Sequence, residues 1–263
     1  MKNIILIETS TALCSVALAQ DGAITSYRES SAPKAHASLT AVFVQEVLQE
    51  QGLNISDCDA VCVSMGPGSY TGLRVGVSTA KGLCFGSGKP LLAVGTLDTL
   101  AAQAVEYITG QVCNDEEGGQ AMVIPKMTAN PEFIIPMIDA RRMEVYSAVF
   151  TQDSQDGNEN RQIAETASVY TQITETSPAI IDSESFAEYL EQGPCLFIGD
   201  GAGKCADVIK HPNAHFCQCH PKASAMLRPA QAAYNEKRFE DVAYFEPFYL
   251  KEFVATVSKK KLF

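Results

Sequence analysis

Two glycine-rich segments of the 263-residue sequence contain residue types that suit phosphate binding. Residues 66–72 read GPGSYTG and residues 199–203 read GDGAG. Glycines let backbone N–H groups approach an anion, and a helix N-terminus adds partial positive charge. The candidate phosphate or nucleotide contacts are Gly66, Gly68, Ser69, Gly199, Asp200 and Gly201. Because the spacing matches neither the Rossmann fingerprint nor the P-loop, tight turns that need positive φ are the competing interpretation.

A second group of chemistry-bearing residues is a stretch rich in histidine and cysteine. It comprises His211, His215, Cys217, Cys219 and His220. The spacing fits no standard zinc pattern, and Pro212 prevents one regular helix from presenting His211 with His215. We therefore predict a surface strand with incidental thiols, and a metal site is the alternative.

The elements that must position these residues alternate between strands and helices. The hydrophobic pattern predicts strands at residues 3–8, 14–19, 23–29, 59–65 and 91–94, and helices at residues 36–51, 71–85 and 97–107. This order is typical of an α/β domain. An apolar run, an acidic turn and an alternating strand recur at residues 134–150, at an offset of about 131 residues. This repeat suggests a duplicated domain, and chance similarity is an equal alternative from the pattern alone.

The second half of the chain is less regular. It is predicted to contain helices at residues 184–191 and 223–238 and a strand at residues 195–198. Residues 110–132 have loop composition and form a candidate boundary. We expect an N-terminal domain at residues 1–109, an insertion at residues 110–132 and a C-terminal domain at residues 133–263. The aromatic-rich residues 245–253 are expected to pack back on the body of the protein.

The composition limits the classes of function. Lys and Arg number 20 against 31 Asp and Glu, so the net charge is −11, and 46% of the residues are hydrophobic. A disordered chain is excluded, and direct binding of nucleic acid by this chain is disfavoured. No apolar run approaches the roughly 20 residues that a membrane-spanning helix needs. Nine cysteines in irregular spacing predict a reducing, cytoplasmic compartment.

The two helices at residues 36–51 and 71–85 carry more apolar or small surface than one sheet face would cover. Apolar residues of the first helix span about 240° around its axis. In the second helix, small residues at four-residue spacing form a ridge that would let another helix approach closely. The predicted partner-interface residues are Leu39, Val42, Phe43, Val47, Gly72, Gly76 and Ala80. Packing against the chain's own sheet is the alternative.

Four motifs, in order along the chain, resemble the TsaB (YeaZ) family of the glycoprotease-like superfamily. They are IILIETS at residues 4–10, MGPGSYTGLRVG at residues 65–76, IDARRMEVY at residues 138–146 and FYLK at residues 248–251. The resemblance covers nearly the whole chain and is weakest at residues 151–177. It implies an α/β fold of the actin/Hsp70/sugar-kinase (ASKHA) type, in which a ribonuclease-H-like domain is duplicated in two related halves.

The resemblance also implies a function in tRNA modification. A member of this family is a non-catalytic subunit that binds the catalytic subunit TsaD. With the ATPase TsaE and the threonylcarbamoyl-AMP supplier TsaC, it allows threonylcarbamoyl to be placed on adenosine 37 of tRNAs that read codons beginning with A. The implied TsaD interface lies on the helices at residues 36–51 and 71–85. Whether two copies of the chain also pair through these helices is an open question at this point.

The resemblance further implies that this chain requires no cofactor, that ATP or ADP belongs to the assembled complex, and that tRNA is bound mainly by the partner. In the related catalytic subunit, a His-x-x-x-His metal pair follows the strand that corresponds to residues 91–94. Thr96 and Leu100 stand there in this sequence, and neither belongs to the residue types that bind such a metal. The resemblance therefore implies no catalytic residue and no metal ligand in this chain, and it implies a structural role for His36.

Two other classes of enzyme are alternatives. An ATP-dependent small-molecule kinase of the same fold would hold Mg-ATP with Glu8, Asp139 and the two glycine loops. A metallopeptidase is a weaker alternative, and it predicts a stoichiometric metal ion. Two features depart from the family pattern: the acidic loop at residues 110–132 is longer than is typical, and the histidine- and cysteine-rich stretch is not a family feature. They leave open a lineage-specific contact or a metal site, and the role of residues 114–119 is open.

Overall fold

The computed structural model describes residues 2–108, 130–152 and 170–250. The predicted insertion at residues 110–132 lies outside the described residues, apart from its last three positions. The acidic residues 114–119 also lie outside them. None of the helices within the described ranges is long and apolar enough to cross a lipid bilayer.

The first sheet is built from the N-terminal half of the chain. Within the described ranges its strands are β1 (Asn3–Glu8), β2 (Cys14–Gln20), β3 (Ala23–Ser30), β4 (Ala60–Gly66) and β5 (Leu91–Gly95), in the order β3-β2-β1-β4-β5. Three helices follow the pattern that the sequence predicts: α1 (Ala35–Glu50), α2 (Tyr70–Ser87) and α3 (Thr96–Ile108). The central strands are buried on both faces, which explains their nearly continuous apolar sequences.

The second sheet is built from the C-terminal half. Its described strands are β6 (Phe133–Asp139), β7 (Glu144–Ser147), β8 (Phe150–Gln152), β9 (Tyr170–Gln172), β10 (Ser177–Ile180), β11 (Cys195–Gly199) and β12 (Ala214–Gln218). Five of them follow the order β10-β7-β6-β11-β12, while β8 pairs with β6 and β9. The described helices are α4 (Ala187–Leu190), α5 (Ala202–Ala206) and α6 (Leu227–Asn235).

The two sheets have the same topology. In the first, β1 pairs antiparallel with β2 and parallel with β4. In the second, β6 pairs antiparallel with β7 and parallel with β11. The outer strands β5 and β12 complete each sheet in parallel. The predicted duplicated α/β fold is therefore confirmed.

The two halves exchange a helix. From the first half, α3 packs on the second sheet, where Leu97 and Leu100 contact a core that contains Ile134 and Leu196. From the second half, α6 packs on the first sheet, where Ala230 belongs to the core. Both helices bury apolar side chains between the halves, so they stabilise the arrangement of the two sheets. Residues 110–132 separate the two sheets along the sequence. The hydrophobic cores cross this boundary, because α3 and α6 each pack on the sheet of the other half.

The last described segment also returns to the first half. The amide of Glu240 donates to the Leu91 carbonyl at 2.9 Å, and the amide of Phe248 donates to the Met65 carbonyl at 2.7 Å. The Lys81 ammonium on α2 donates to the carbonyls of Ala243 and Phe245. Residues 240–248 therefore lie along the first sheet and α2.

Several predicted elements differ from the observed ones in the second half. The predicted helix at residues 223–238 is a 3₁₀ turn at Ala223–Met226 followed by α6, and Lys237 adopts a left-handed conformation just beyond it. The predicted helix at residues 184–191 is reduced to the four residues of α4. The sequence patterns do not predict α5, β9 or β10, because such short elements carry too few residues for a periodic signal.

Candidate functional site

A cleft of about 700 Å³ lies between the two halves, beyond the carboxyl ends of β1 and β6. Such positions commonly bind ligands in α/β proteins. Its lining includes Ser10, Thr11, His36, Gly68, Ser69, Tyr70, Asp139, Arg141, Asp200 and Tyr249. The cleft thus brings together Gly68 and Ser69 of the first predicted loop with Asp200 of the second. Gly66 lines a neighbouring pocket of about 270 Å³, and Gly199 and Gly201 line neither space.

The carboxyl group of Glu8 lies at the end of β1 and is completely buried. One oxygen, Oε1, accepts a hydrogen bond of 2.7 Å from the Ser10 amide. The other, Oε2, has no partner among the described residues. Burial raises the pKa of Glu8 to about 7, against the smaller lowering effect of the hydrogen bond from the Ser10 amide. Glu8 is therefore protonated in slightly acidic solution.

The turn after β1 places polar side chains under the cleft. Ser10 and Thr11 are 1% and 5% exposed, and their hydroxyl oxygens have no hydrogen-bond partner among the described residues. The same holds for Nε2 of His36 at the start of α1. The backbone of this turn is tightly packed, because the Ser10 carbonyl accepts a 2.6 Å hydrogen bond from the Ser69 amide. This wall of the cleft is polar but fixed by its own backbone.

The glycines of the first loop are explained by this packing. A Cβ on Gly68 would collide with the Ser10 carbonyl, and a Cβ on Gly72 would collide with the Thr9 carbonyl. The Ser69 hydroxyl caps α2 by accepting from the Gly72 amide at 3.3 Å. The glycines thus allow α2 to begin directly against the end of β1, which is the structural interpretation of this motif.

The second loop is closed by contacts within the chain. Gly199 has a φ of +132°, and the Gly201 amide donates to the Met137 carbonyl at 3.0 Å. The Gln218 side chain accepts from the Gly203 amide at 2.5 Å and donates to the Asp200 carbonyl at 2.9 Å. Because protein oxygens take the Gly201 and Gly203 amides, these groups do not face the cleft as phosphate ligands.

Asp139, at the end of β6, is held by a lysine. Its Oδ1 accepts a hydrogen bond of 2.5 Å from Nζ of Lys204 and one of 2.8 Å from the Arg141 amide. Nζ of Lys204 also donates to the carbonyls of Arg142 at 2.9 Å and Glu144 at 2.6 Å. The Asp139 amide donates to the Asp200 carboxylate at 2.8 Å. The charge of Asp139 is therefore compensated inside the chain.

These observations decide whether the cleft suits Mg-nucleotide, which a kinase of this fold would bind. Magnesium needs ionised carboxylates or phosphates around it, and phosphates need free backbone amides or cations. Glu8 is buried with a raised pKa, Asp139 is paired with Lys204, and the second loop is closed. The described residues therefore do not fit Mg-nucleotide.

The histidine- and cysteine-rich stretch is partly in β12, so the predicted strand is confirmed. The predicted surface position is wrong for Cys217, which is 1% exposed. No three His, Cys, Asp or Glu side chains within the described ranges are arranged to hold a metal ion. Cys217 is buried in the core beneath α3, and Cys219 accepts a 3.5 Å hydrogen bond from Gln103 on that helix. Nδ1 of His211 accepts from the Asn213 amide. These side chains thus pack and cap local structure.

Thr96 and Leu100 occupy the beginning and the first turn of α3. Both are completely buried. The Thr96 hydroxyl pairs with that of Ser64 at 2.9 Å, and Leu100 belongs to the core between α3 and the second sheet. These two positions serve packing, and neither presents a metal ligand to the surface.

The predicted ridge on α2 faces the chain's own sheet. A Cβ on Gly76 would collide with the Thr9 hydroxyl, and Ala80 is 0% exposed. Phe43 and Val47 of α1 are buried in the same core, and Leu39 is half-buried. A partner helix therefore has no direct access to Gly72, Gly76 or Ala80. The expectation that this ridge meets a partner is corrected, because β1 and β4 occupy the space above it.

A different set of small residues forms the outer surface of α2. Ser78, Gly82 and Gly86 are exposed at four-residue spacing, and a Cβ on Gly82 or Gly86 would meet no atom outside the helix within 4 Å. Beside them, Phe85 is 86% exposed, and Val42 on α1 is 41% exposed. We call Val42, Ser78, Gly82, Phe85 and Gly86 the outer helix surface. The spacing was readable in the sequence, but only the fold decides which ridge faces outward.

Comparisons with known proteins agree with this architecture. The family model described as "TsaD: tRNA N6-adenosine threonylcarbamoyltransferase" matches residues 28–259. The tRNA threonylcarbamoyladenosine biosynthesis protein TsaB of Escherichia coli is 29% identical over 257 residues, which cover 96% of both chains. The protein of the same name from Haemophilus influenzae is 28% identical and covers 100% of this chain and 98% of its own.

A solved structure of YeaZ from Pseudomonas aeruginosa has the same fold. It superposes with a TM-score of 0.71 at 25% identity, over 95% of this chain and 100% of its own. The family model, the full-length relatives and the duplicated sheets point to one assignment. The chain belongs to the TsaB (YeaZ) family of the glycoprotease-like superfamily.

Proposed function

We propose that the chain takes part in forming threonylcarbamoyladenosine in tRNA, as a non-catalytic subunit that binds TsaD. Its full-length relatives bear the name of that biosynthesis, which supports a role in the pathway. The proposed contact is the outer helix surface. Nucleotide and tRNA are then bound mainly by the assembled complex, since this acidic chain has a net charge of −11.

One observation carries the proposed contact. Glycine inside an exposed helix costs about 1 kcal/mol relative to alanine. Gly72 and Gly76 are explained by close packing on Thr9, but nothing outside the helix lies near Gly82 or Gly86. The chain itself therefore gains no packing from these two glycines. A partner helix that approaches closely would supply the missing reason, because ridges of small residues permit short interhelical distances.

The outer faces of α1 and α2 point to the same side of the molecule. Both helices pack on one face of the first sheet, where Val44 of α1 and Val77 of α2 share a core. Val42 and Phe85 can therefore contact one partner while Gly82 and Gly86 admit its backbone. Apolar side chains around a ridge of small residues suit a packed helical interface.

The non-catalytic assignment is supported by the cleft. Of its two strand-end carboxyl groups, Glu8 is completely buried and Asp139 is paired with Lys204. The second glycine loop is closed by Gln218. No observation favours the kinase or the metallopeptidase, and neither is proposed here.

The test is association of the purified chain with its cognate TsaD. Gly82→Arg places a long charged side chain on the outer helix surface without disturbing the core, because the site is open. We expect at least about tenfold weaker association by isothermal titration, since interface centres dominate affinity. The matched control is Ser183→Arg, which adds the same charge at an exposed position in the second half. Equal affinity of both variants and the unmodified chain would refute the proposed contact.

The proposal extends to the assembly. TsaE would bind the pair rather than the isolated chain, and two copies of the chain would pair through the outer helix surface when TsaD is absent. Sedimentation of the chain alone and with TsaD tests the second point. Gly82→Arg should give a monomer in both experiments. Separate homodimer and TsaD surfaces would contradict this part of the proposal.

A further inference from the structure

The ammonium group of Lys204 lies in a cage of three oxygen atoms. It donates to Oδ1 of Asp139 at 2.5 Å, to the Arg142 carbonyl at 2.9 Å and to the Glu144 carbonyl at 2.6 Å. A carboxylate together with backbone carbonyls is the kind of oxygen ligand set that hard divalent cations take. The positive charge of Lys204 therefore lies among oxygen atoms of the types that bind divalent cations.

The position of this cage in the fold is significant. Asp139 ends β6, and β6 occupies in the second sheet the place that β1 occupies in the first. Glu8 ends β1 and is buried, with Oε2 unpartnered. The duplicated fold therefore places two carboxyl groups at equivalent strand ends. Burial favours the neutral form of Glu8, and a lysine compensates the charge of Asp139.

The cage also fixes the turn between β6 and β7. Arg141 and Arg142 both have positive φ, at 71° and 50°, a backbone conformation that is unfavourable for residues other than glycine. The carbonyl of Arg142 and the carbonyl of Glu144 both accept from Lys204, and the Arg141 amide donates to Asp139. Lys204 therefore compensates a strained turn as well as a carboxylate.

We infer that the Lys204 ammonium is a built-in cation, which stands at Asp139, beside the cleft, where a divalent metal ion would otherwise bind. The lysine side chain is 21% exposed and that of Asp139 is 46% exposed, so a solvent ion has access to the carboxylate once the ammonium is removed. The chain keeps its cleft wall intact without a metal ion and excludes Mg-nucleotide from it. This inference does not rest on the association with TsaD.

The experiment is a titration of the full chain with Mn²⁺, followed by electron paramagnetic resonance of the free ion. Lys204→Met removes the charge but keeps an apolar stem, and we expect it to bind one Mn²⁺ at least about tenfold more tightly than the unmodified chain. Adding Asp139→Asn to that variant should abolish the gain. Lys210→Met is the matched control, because the Lys210 ammonium donates to the Ala206 carbonyl on the same segment and makes no hydrogen bond to Asp139 among the residues that the structure describes.

Three outcomes would overturn the inference. One is the same Mn²⁺ affinity in Lys204→Met and the unmodified chain. Another is an equal gain in Lys210→Met, which would reflect net charge alone. The third outcome needs no lysine variant. It is that the unmodified chain binds Mn²⁺ saturably and that Asp139→Asn abolishes this binding. Lys204→Ala serves as the second variant if Lys204→Met is not folded by circular dichroism, and the unmodified chain alone still tests the exclusion of the ion.

Discussion

The buried carboxyl group of Glu8 should make the stability of the protein depend on pH. Its pKa is raised from 4.5 to about 7, chiefly by burial, and its side chain is 0% exposed. Below about pH 4.5 the group is protonated in both the folded and the unfolded chain, so its contribution to folding is fully present. Between about pH 4.5 and about pH 7 the unfolded chain loses this proton while the folded chain keeps it. The free energy of unfolding therefore falls as the pH rises through this window, and it levels off above pH 7.

The size of the effect follows from the two pKa values. Each pH unit between them is equivalent to about 1.4 kcal/mol, which gives about 3 kcal/mol for the whole window. In Glu8→Gln, the amide oxygen can accept from the Ser10 amide as Oε1 does, and the side chain does not titrate. We expect the variant to be within about 1 kcal/mol of the unmodified chain near pH 5, because most of the window lies above that pH. Near pH 8 it should be more stable by about 3 kcal/mol.

The assay is urea denaturation followed by far-ultraviolet circular dichroism, since the chain has no tryptophan. The quantity compared is the difference in the free energy of unfolding between Glu8→Gln and the unmodified chain, because titration of all other groups cancels in it. Glu191→Gln is the control, because it removes a carboxylate at an exposed position away from the core. A Glu8→Gln difference that is the same near pH 5 and near pH 8 would refute the reasoning.

Two further predictions concern the helices. Gly82→Ala should raise the free energy of unfolding of the isolated chain by about 1 kcal/mol, because the position is open and alanine favours helix. The same variant should weaken association with TsaD. Urea denaturation measures the first effect and isothermal titration the second, and tighter association would argue against a close helix contact. Leu100→Ala should cost about 2–5 kcal/mol, because this completely buried side chain packs α3 on the second sheet. Calorimetry checks it, with a single transition expected, and a loss below about 0.5 kcal/mol would show that the exchanged helix is not part of the shared core.

Much of the fold was predictable from local patterns. Continuous apolar runs predict the central strands, and the periodic helices α1, α2 and α3 are predicted to within two residues at either end. The repeat at residues 134–150 predicts the duplication because the same strand pair opens both sheets. Short elements such as α5 and β10 are not predicted, since four or five residues give no periodic signal.

The candidate site was predictable in its location but not in its chemistry. Glycine loops after buried strands indicate the two walls of the cleft, and Gly68, Ser69 and Asp200 do line it. The sequence does not reveal that Gln218 closes the second loop or that Lys204 pairs with Asp139. Those partners lie 15 and 65 residues away along the chain, so only the fold brings them together.

By itself, the sequence determined the duplicated α/β fold and the family, because hydrophobic periodicity and ordered motifs are local properties of the chain. The tertiary structure decided which of two glycine ridges on α2 faces outward, since the direction depends on the packing of Gly76 against Thr9. It also decided that α3 and α6 exchange between the halves and that Glu8 is buried enough to raise its pKa to about 7. Burial and charge compensation depend on distant residues meeting, and no local pattern contains that information.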